Sequence, residues 1–302
     1  GGNLDMELLF PKGGPEPVRV QQLQLSNRHI NLAAHGRWDT TRQTLASRLD
    51  LELATLPATL PPGLTLPETV RFKGALEGSW PKLKADLRTQ PLSARYRAPN
   101  ATGKTQVDNA SLRLTATSTA PRAWQAQVEA STDITTHSPI PAAGHISSRT
   151  TLKTPDLLQW EVPETEVMVN QTPILQGNGH FHTATGATRG NLRLLPASRQ
   201  ALQEAATLPK GWPQGTAQAT FSGHLAPLDL NGTLQAEVQT PQQPQALPSL
   251  LGANATLKAK WGAEAHGNIR IDDVRLTTPR TRLWGAGNLN TQSRRPAVRL
   301  HL

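Results

Sequence analysis

At 302 residues the chain is long enough for one large domain or two ordinary ones, yet only 36% of it is hydrophobic and it carries 25 prolines and 23 glycines, a composition suited to a thin core rather than a thick one. The absence of cysteine excludes disulfide staples and thiolate metal sites, and no run of about 18 apolar residues is present to span a membrane as a helix. The net charge of +9 comes from Arg and Lys residues scattered singly along the chain, without the clustered basic patch and interleaved aromatics of a nucleic-acid surface.

The opening "GGNLDMELLF" has neither the basic nor the apolar region of a signal peptide, so the chain reads as an interior segment with any anchor outside it. From Val18 onward, strict alternation dominates. Val18, Val20, Val70, Phe72, Leu112 and Leu114 flank single arginines, and Leu49, Leu51 and Leu53 alternate with charges. Trp124, Ala126, Val128 and Ala130 continue the period of two, which predicts strands with one apolar and one wet face. Leu192, Leu194, Ile269, Ile271, Val274, Leu276, Val298 and Leu300 repeat the apolar, cation, apolar triplet. Helical periodicity is credible only in "ASRQALQEAA" (197–206), between Leu-Pro pairs. The expected fold class is all-β: an elongated, curved antiparallel sheet with one or two short helices in linkers.

An internal repeat underlies the alternation. Shifted by 251 residues, Val18, Val20, Leu23, Leu25, Leu32, Gly36 and Trp38 fall on Ile269, Ile271, Val274, Leu276, Leu283, Gly287 and Leu289. A middle copy places Trp160, Val162 and Val167 at one offset, then Leu175, Gly179 and Phe181 after one inserted residue near Asn170. The copies give approximate units of 1–100, 101–215 and 216–302 in a single elongated β-repeat segment. Within a copy, Gln21-Gln22 and Asp272-Asp273 flip the parity of the apolar positions, as a bulge or two-residue turn does.

Glycines share the apolar parity. "NLAAHGRW" (31–38), "ILQGNGHF" (174–181) and "RLWGAGNLN" (282–290) each read large, small, small, large at every second residue. Gly36, Gly177, Gly179, Gly285 and Gly287 are therefore expected to let a sheet bend on its concave side. The predicted groove lining comprises Val18, Val20, Leu23, Leu25, Leu32, Trp38, Trp160, Val162, Val167, Leu175, Phe181, Ile269, Ile271, Val274, Leu276, Leu283 and Leu289. His180 and His182 lie two apart on a strand, without the third and fourth ligands of a metal site. Glu161, Glu164 and Glu166 lack a partnered base, and the Gly-x-Gly pairs lie within strands rather than before a helix. No catalytic residue, metal or cofactor is expected.

The stretch "GHISSRTTLKTPDLLQWEVPETEVMVNQTPILQGNGHF" (144–181) resembles the repeat of the TamB (translocation and assembly module subunit) family in the wider AsmA-like group. The segment "GALEGSWPKLKADL" (74–87), following a Leu-Pro linker, is similar to that family's G-x-L-x-G-x-W segments. The resemblance implies a β-taco, a long folded sheet around a hydrophobic groove. It implies location in the periplasm of a Gram-negative bacterium, anchorage to the inner membrane outside this segment, and an outer-membrane partner of the Omp85 type. The implied role is non-enzymatic: shielding phospholipid acyl chains in transport to the outer membrane, or alternatively scaffolding outer-membrane protein and autotransporter assembly. Seven tryptophans against one tyrosine support a rival reading as a polysaccharide-binding or adhesive β-protein, although Trp38 and Trp160 keep the apolar parity.

Overall fold

The computed structural model describes residues 3–9, 18–26, 30–54, 64–65, 67, 69–97, 104–136, 142–196, 198–205, 214–225, 227–239, 254–264, 268–290 and 295–301. Twenty strands and one helix account for most of them, and the strand pairings among the described residues are antiparallel. The chain is all-β. Its contacts divide it into two compact units, Gly1–Leu157 and Leu158–Leu302.

The first unit contains β1 (Asn3–Leu9), β2 (Val18–Ser26), β3 (Ile30–Asp39), β4 (Thr44–Ala54), β5 (Leu64–Thr65), β6 (Thr69–Ser79), β7 (Lys82–Thr89), β8 (Leu92–Arg97), β9 (Lys104–Ala120), β10 (Ala123–Thr136) and β11 (Ala142–Thr154). Strands pair mostly with their sequence neighbours, in the order β1, β2, β3, β4, β6, β7, β9, β10, β11. The exception is a fork along β9. Its 17 residues are too long for one partner, so β7 takes Arg113–Thr117 and β8 takes Lys104–Ala110 on the same edge. The Leu112 N–H falls between the two partners and donates to Thr89 Oγ1 at 2.8 Å. A side-chain hydroxyl thus completes the ladder where the backbone cannot.

The second unit contains β12 (Gln159–Val169), β13 (Thr172–His182), β14 (Ala187–Leu194), α1 (Ser198–Ala205), β15 (Gln214–Leu225), β16 (Leu228–Gln239), β17 (Asn254–Glu264), β18 (Asn268–Thr277), β19 (Arg282–Asn290) and β20 (Arg295–His301). Here the meander is unbroken: each strand pairs with the next along the chain. The short helix anticipated over 197–206 is α1, which lies against β12 and β13 with Ala201 fully buried. The Leu-Pro linkers at 55–63 and 206–211, and Trp212, lie outside the described residues.

Alternation in sequence becomes alternation in exposure. From Asp229 to Gln239, β16 alternates exposed polar with half-buried apolar or small residues, as a two-sided strand must. Neither unit fills a thick core. Among the described residues no large side chain is fully buried, and five of the seven buried hydrophobic residues are alanines: Ala34, Ala94, Ala126, Ala201 and Ala255.

Candidate functional site

The three repeat copies fold into the same hairpin. In β2–β3, Val18 opposes Trp38 and Val20 opposes Gly36; the register then shifts, and Leu23 opposes Ala34 and Leu25 opposes Leu32. In β12–β13 the equivalent pairs are Trp160 with Phe181, Val162 with Gly179, then Thr165 with Gly177 and Val167 with Leu175. In β18–β19 they are Ile269 with Leu289, Ile271 with Gly287, then Val274 with Gly285 and Leu276 with Leu283. The parity flips at Gln21-Gln22 and Asp272-Asp273 are bulges, and Pro163-Glu164 makes the third. The extra residue of the middle copy is Ile174, which has no partner on β12 where Met168 opposes Pro173, while its carbonyl accepts from the Leu195 N–H at 2.9 Å. There the chain reverses through Asn170 and Gln171, at φ of 48° and 68°.

These pairings extend from strand to strand into rows. In the second unit, Leu283, Leu276, Leu257, Ala236, Ala217, Leu194, Leu175 and Val167 form one row across eight strands. A second holds Gly285, Val274, Ala259, Leu234, Ala219, Leu192, Gly177 and Thr165. The third runs Gly287, Ile271, Trp261, Gly232, Phe221, Gly190, Gly179 and Val162. The fourth joins Leu289 and Ile269, through Ala263, Leu230, Gly223 and Thr188, to Phe181 and Trp160. The first unit does the same: Leu25, Leu32, Leu51 and Phe72 align, as do Leu23, Ala34, Leu49, Gly74, Leu87, Leu114 and Val128. Of the residues predicted to line the face, all but Val18, Val20 and Trp38 belong to one of these rows; Val18 faces Trp38 and Val20 faces Gly36 across β2–β3. Trp261, Phe221, Leu257, Leu234 and Leu230 share them and were missed, although "NATLKAKWGAE" carries the same alternation.

Residues of the rows are sheltered rather than buried. Most of the predicted lining is half-buried, Trp38, Leu25 and Leu289 are 49%, 40% and 36% exposed, and the Val20 side chain lies outside the described set. In the third row, glycines stand beside aromatic residues for a steric reason. A Cβ built on Gly232 would lie 2.6 Å from Trp261 Cε2 and Cζ2, and one on Gly190 would lie 2.6 Å from Phe221 Cζ. Each ring therefore covers the neighbouring glycine, as aromatic side chains do on glycine-containing sheets. Gly36 has a different constraint: its Cβ would meet the Ala46 carbonyl oxygen at 2.5 Å, so β3 and β4 approach too closely for a side chain. Trp160 and Phe181, opposite one another, stack with ring centres 5.9 Å apart and planes 3° from parallel.

The opposite face is polar and charged. Arg113 donates to Asp86 at 2.8 Å, Arg149 to Glu129 at 3.3 Å and Arg71 to Glu52 at 3.3 Å. Hydrogen bonds from Arg113 and Arg88 hold the Asp86 carboxyl at about 2, well below its ordinary 3.8. His180 opposes Glu161 and Arg189 on this face, while His182 Nδ1 accepts from the Thr185 N–H. Among the described residues, no three His, Asp or Glu side chains converge in a metal-binding arrangement. Trp284 is the one described aromatic residue of the second unit on the polar face, 48% exposed and stacked with His301 at 5.9 Å. No described helix is long and apolar enough to cross a membrane.

What the arrangement offers chemically is a largely apolar strip several side chains wide on one face of each unit, backed by a wet face. The chain finds no match among protein-family models, curated proteins or solved structures.

Proposed function

We propose that this chain is a non-enzymatic segment of a TamB/AsmA-like lipid conduit, working in the periplasm between inner and outer membranes with an Omp85-type protein as the outer partner of the full-length chain. The observation that carries this reading is the uninterrupted, half-buried apolar row from Leu283 to Val167, with the row from Leu289 to Trp160, apolar except at Thr188, beside it. An acyl chain on such a strip exchanges water for Leu, Val, Ile and Trp side chains at every step. Each sheltered CH2 is worth roughly 0.8 kcal/mol, so two acyl chains avoid a penalty of tens of kcal/mol. Nothing else is required of the protein: no proton is moved and no bond is broken.

The reading is tested with a photo-crosslinking amino acid at position 283 or 282. Leu283 is half-buried within a row, whereas its neighbour Arg282 is exposed on the polar face. Phospholipid adducts at 283 and not at 282 are the expected outcome. Equal labelling, or labelling at 282 alone, overturns the assignment of the apolar rows as the lipid path. Leu283→Arg should also block transfer while leaving the chain folded.

A further inference from the structure

Three cations on the polar face of the first unit pair with the acid directly opposite, a habit that Lys153, opposite Gln125, does not share. Arg71 sits directly opposite Glu52 and Lys73 opposite Asp50, with gaps of 3.3 and 3.9 Å. Arg149 sits opposite Glu129 at 3.3 Å. Arg37 and Arg48 break the habit. Arg37 is flanked by Arg19 on β2 and Ala46 on β4; Arg48 is flanked by His35 on β3 and Ala75 on β6. The positions where an acid would stand hold methyl groups or further bases. Among the described residues neither arginine has an ion-pair partner. Placing like charges on neighbouring strands destabilises a sheet, so the arrangement carries a cost.

The same residues enclose a space. An open recess of about 560 Å3 is lined by Arg37, Arg48 and His35, with Ala46 and Ala75 beneath and Glu77 on the far side of Ala46. Its size falls within the range of small-molecule sites, roughly 300–1,000 Å3. Depth comes from short side chains: Ala46 and Ala75 leave the polar face low at this point. Ser47, facing the other way, is engaged as a donor to the Leu76 carbonyl at 3.3 Å. Two arginines lining one opening suit the oxygens of a phosphate, which accepts bidentate hydrogen bonds from arginine. Glu77 repels a bare dianion but accepts a hydrogen bond from a cationic donor placed one strand away from the phosphate.

We propose that the recess between β3, β4 and β6 binds a phosphate group between Arg37 and Arg48, on a ligand whose ammonium group meets Glu77. This chemistry belongs equally to an ethanolamine phospholipid headgroup and to a soluble phosphoethanolamine. It is independent of the apolar rows, which lie on the other face of the same strands.

Titration calorimetry on the 302-residue chain at low salt tests it, with phosphoethanolamine, inorganic phosphate and monomeric dihexanoyl-phosphatidylethanolamine as probes. Saturable one-to-one binding of phosphoethanolamine is expected, weakened at least tenfold by Arg37→Gln or Arg48→Gln and unchanged by Arg71→Gln, whose arginine already has Glu52. Inorganic phosphate should bind more weakly, and Glu77→Gln should remove that difference. Ala46→Glu supplies the missing acid opposite Arg37, so it should abolish binding while keeping or raising the melting temperature; loss of binding in that variant cannot then be ascribed to unfolding. Tighter binding of the short-chain lipid identifies a membrane lipid as the source, and equal affinity identifies a soluble phosphate. No saturable binding, an equal loss on Arg71→Gln, or an unaffected Ala46→Glu variant overturns the proposal.

Discussion

Asp86→Asn should destabilise the first unit at neutral pH and have progressively less effect as the pH falls through about 2. Asp86 accepts from Arg113 at 2.8 Å and from Arg88 at 3.3 Å, and its pKa falls from 3.8 to about 2. At about 1.4 kcal/mol per pH unit, that depression corresponds to roughly 2.5 kcal/mol. Its side chain is 28% exposed and those of the two arginines 40% and 62%, so water screens the pair and about 1–1.5 kcal/mol remains. The sign follows from the direction of the shift. Because the folded-state pKa lies below the unfolded one, the contribution is complete above about pH 4 and disappears as the pH falls through about 2. Urea unfolding of both forms between pH 7 and pH 2, with hydrogen exchange across β7 and β9 to locate the effect, should show the gap closing on acidification. A gap that stays constant or widens toward pH 2 would refute the reasoning, because the ion pair would then not be its source.

Gly232→Ala pushes a methyl group against the Trp261 ring and the Thr220 carbonyl oxygen and should cost about 1–3 kcal/mol. The cost should shrink in a Trp261→Leu background, a coupling that a double-mutant cycle in urea measures; strict additivity would contradict the ring-over-glycine account. Thr89→Val keeps the shape but removes the acceptor for the Leu112 N–H, with an expected loss of about 1–3 kcal/mol. Exchange of the Leu112 amide should accelerate selectively, and uniform acceleration along β9 would argue against a local ladder repair.

The period of two made the strands and their faces legible, because burial on one side leaves a mark at every second residue. β18 shows this well: Ile269, Ile271, Val274 and Leu276 are half-buried, and the doublet at Asp273 and Val274 marks the bulge. Trp284 shares the wet face of Arg282, a placement the lining pattern left open. What alternation cannot convey is which residue stands opposite which. Trp261 over Gly232 and Phe221 over Gly190 depend on the registers of β17 with β16 and of β15 with β14. The Arg37 and Arg48 recess depends on Ala46 and Ala75 arriving beside them from two other strands. The fork on β9 was equally hidden, because it arises from strand length and from a hydroxyl 23 residues away.

The register also bears on how such a chain could change length over generations. From β12 to β18 the sheet advances by six strand steps, which is three hairpins, and Trp160 returns to the same line as Ile269. The third copy thus repeats the middle one six strand steps along the hydrogen-bonding direction, with the strands running the same way. Duplication or loss of one hairpin moves everything downstream by about 10 Å and leaves every leucine on its own line. A gain or loss of one strand alone reverses the direction of every strand that follows. A gene of this kind can be lengthened or shortened in pairs of strands and never by a single one, and uneven distances between surviving copies are the record such editing leaves.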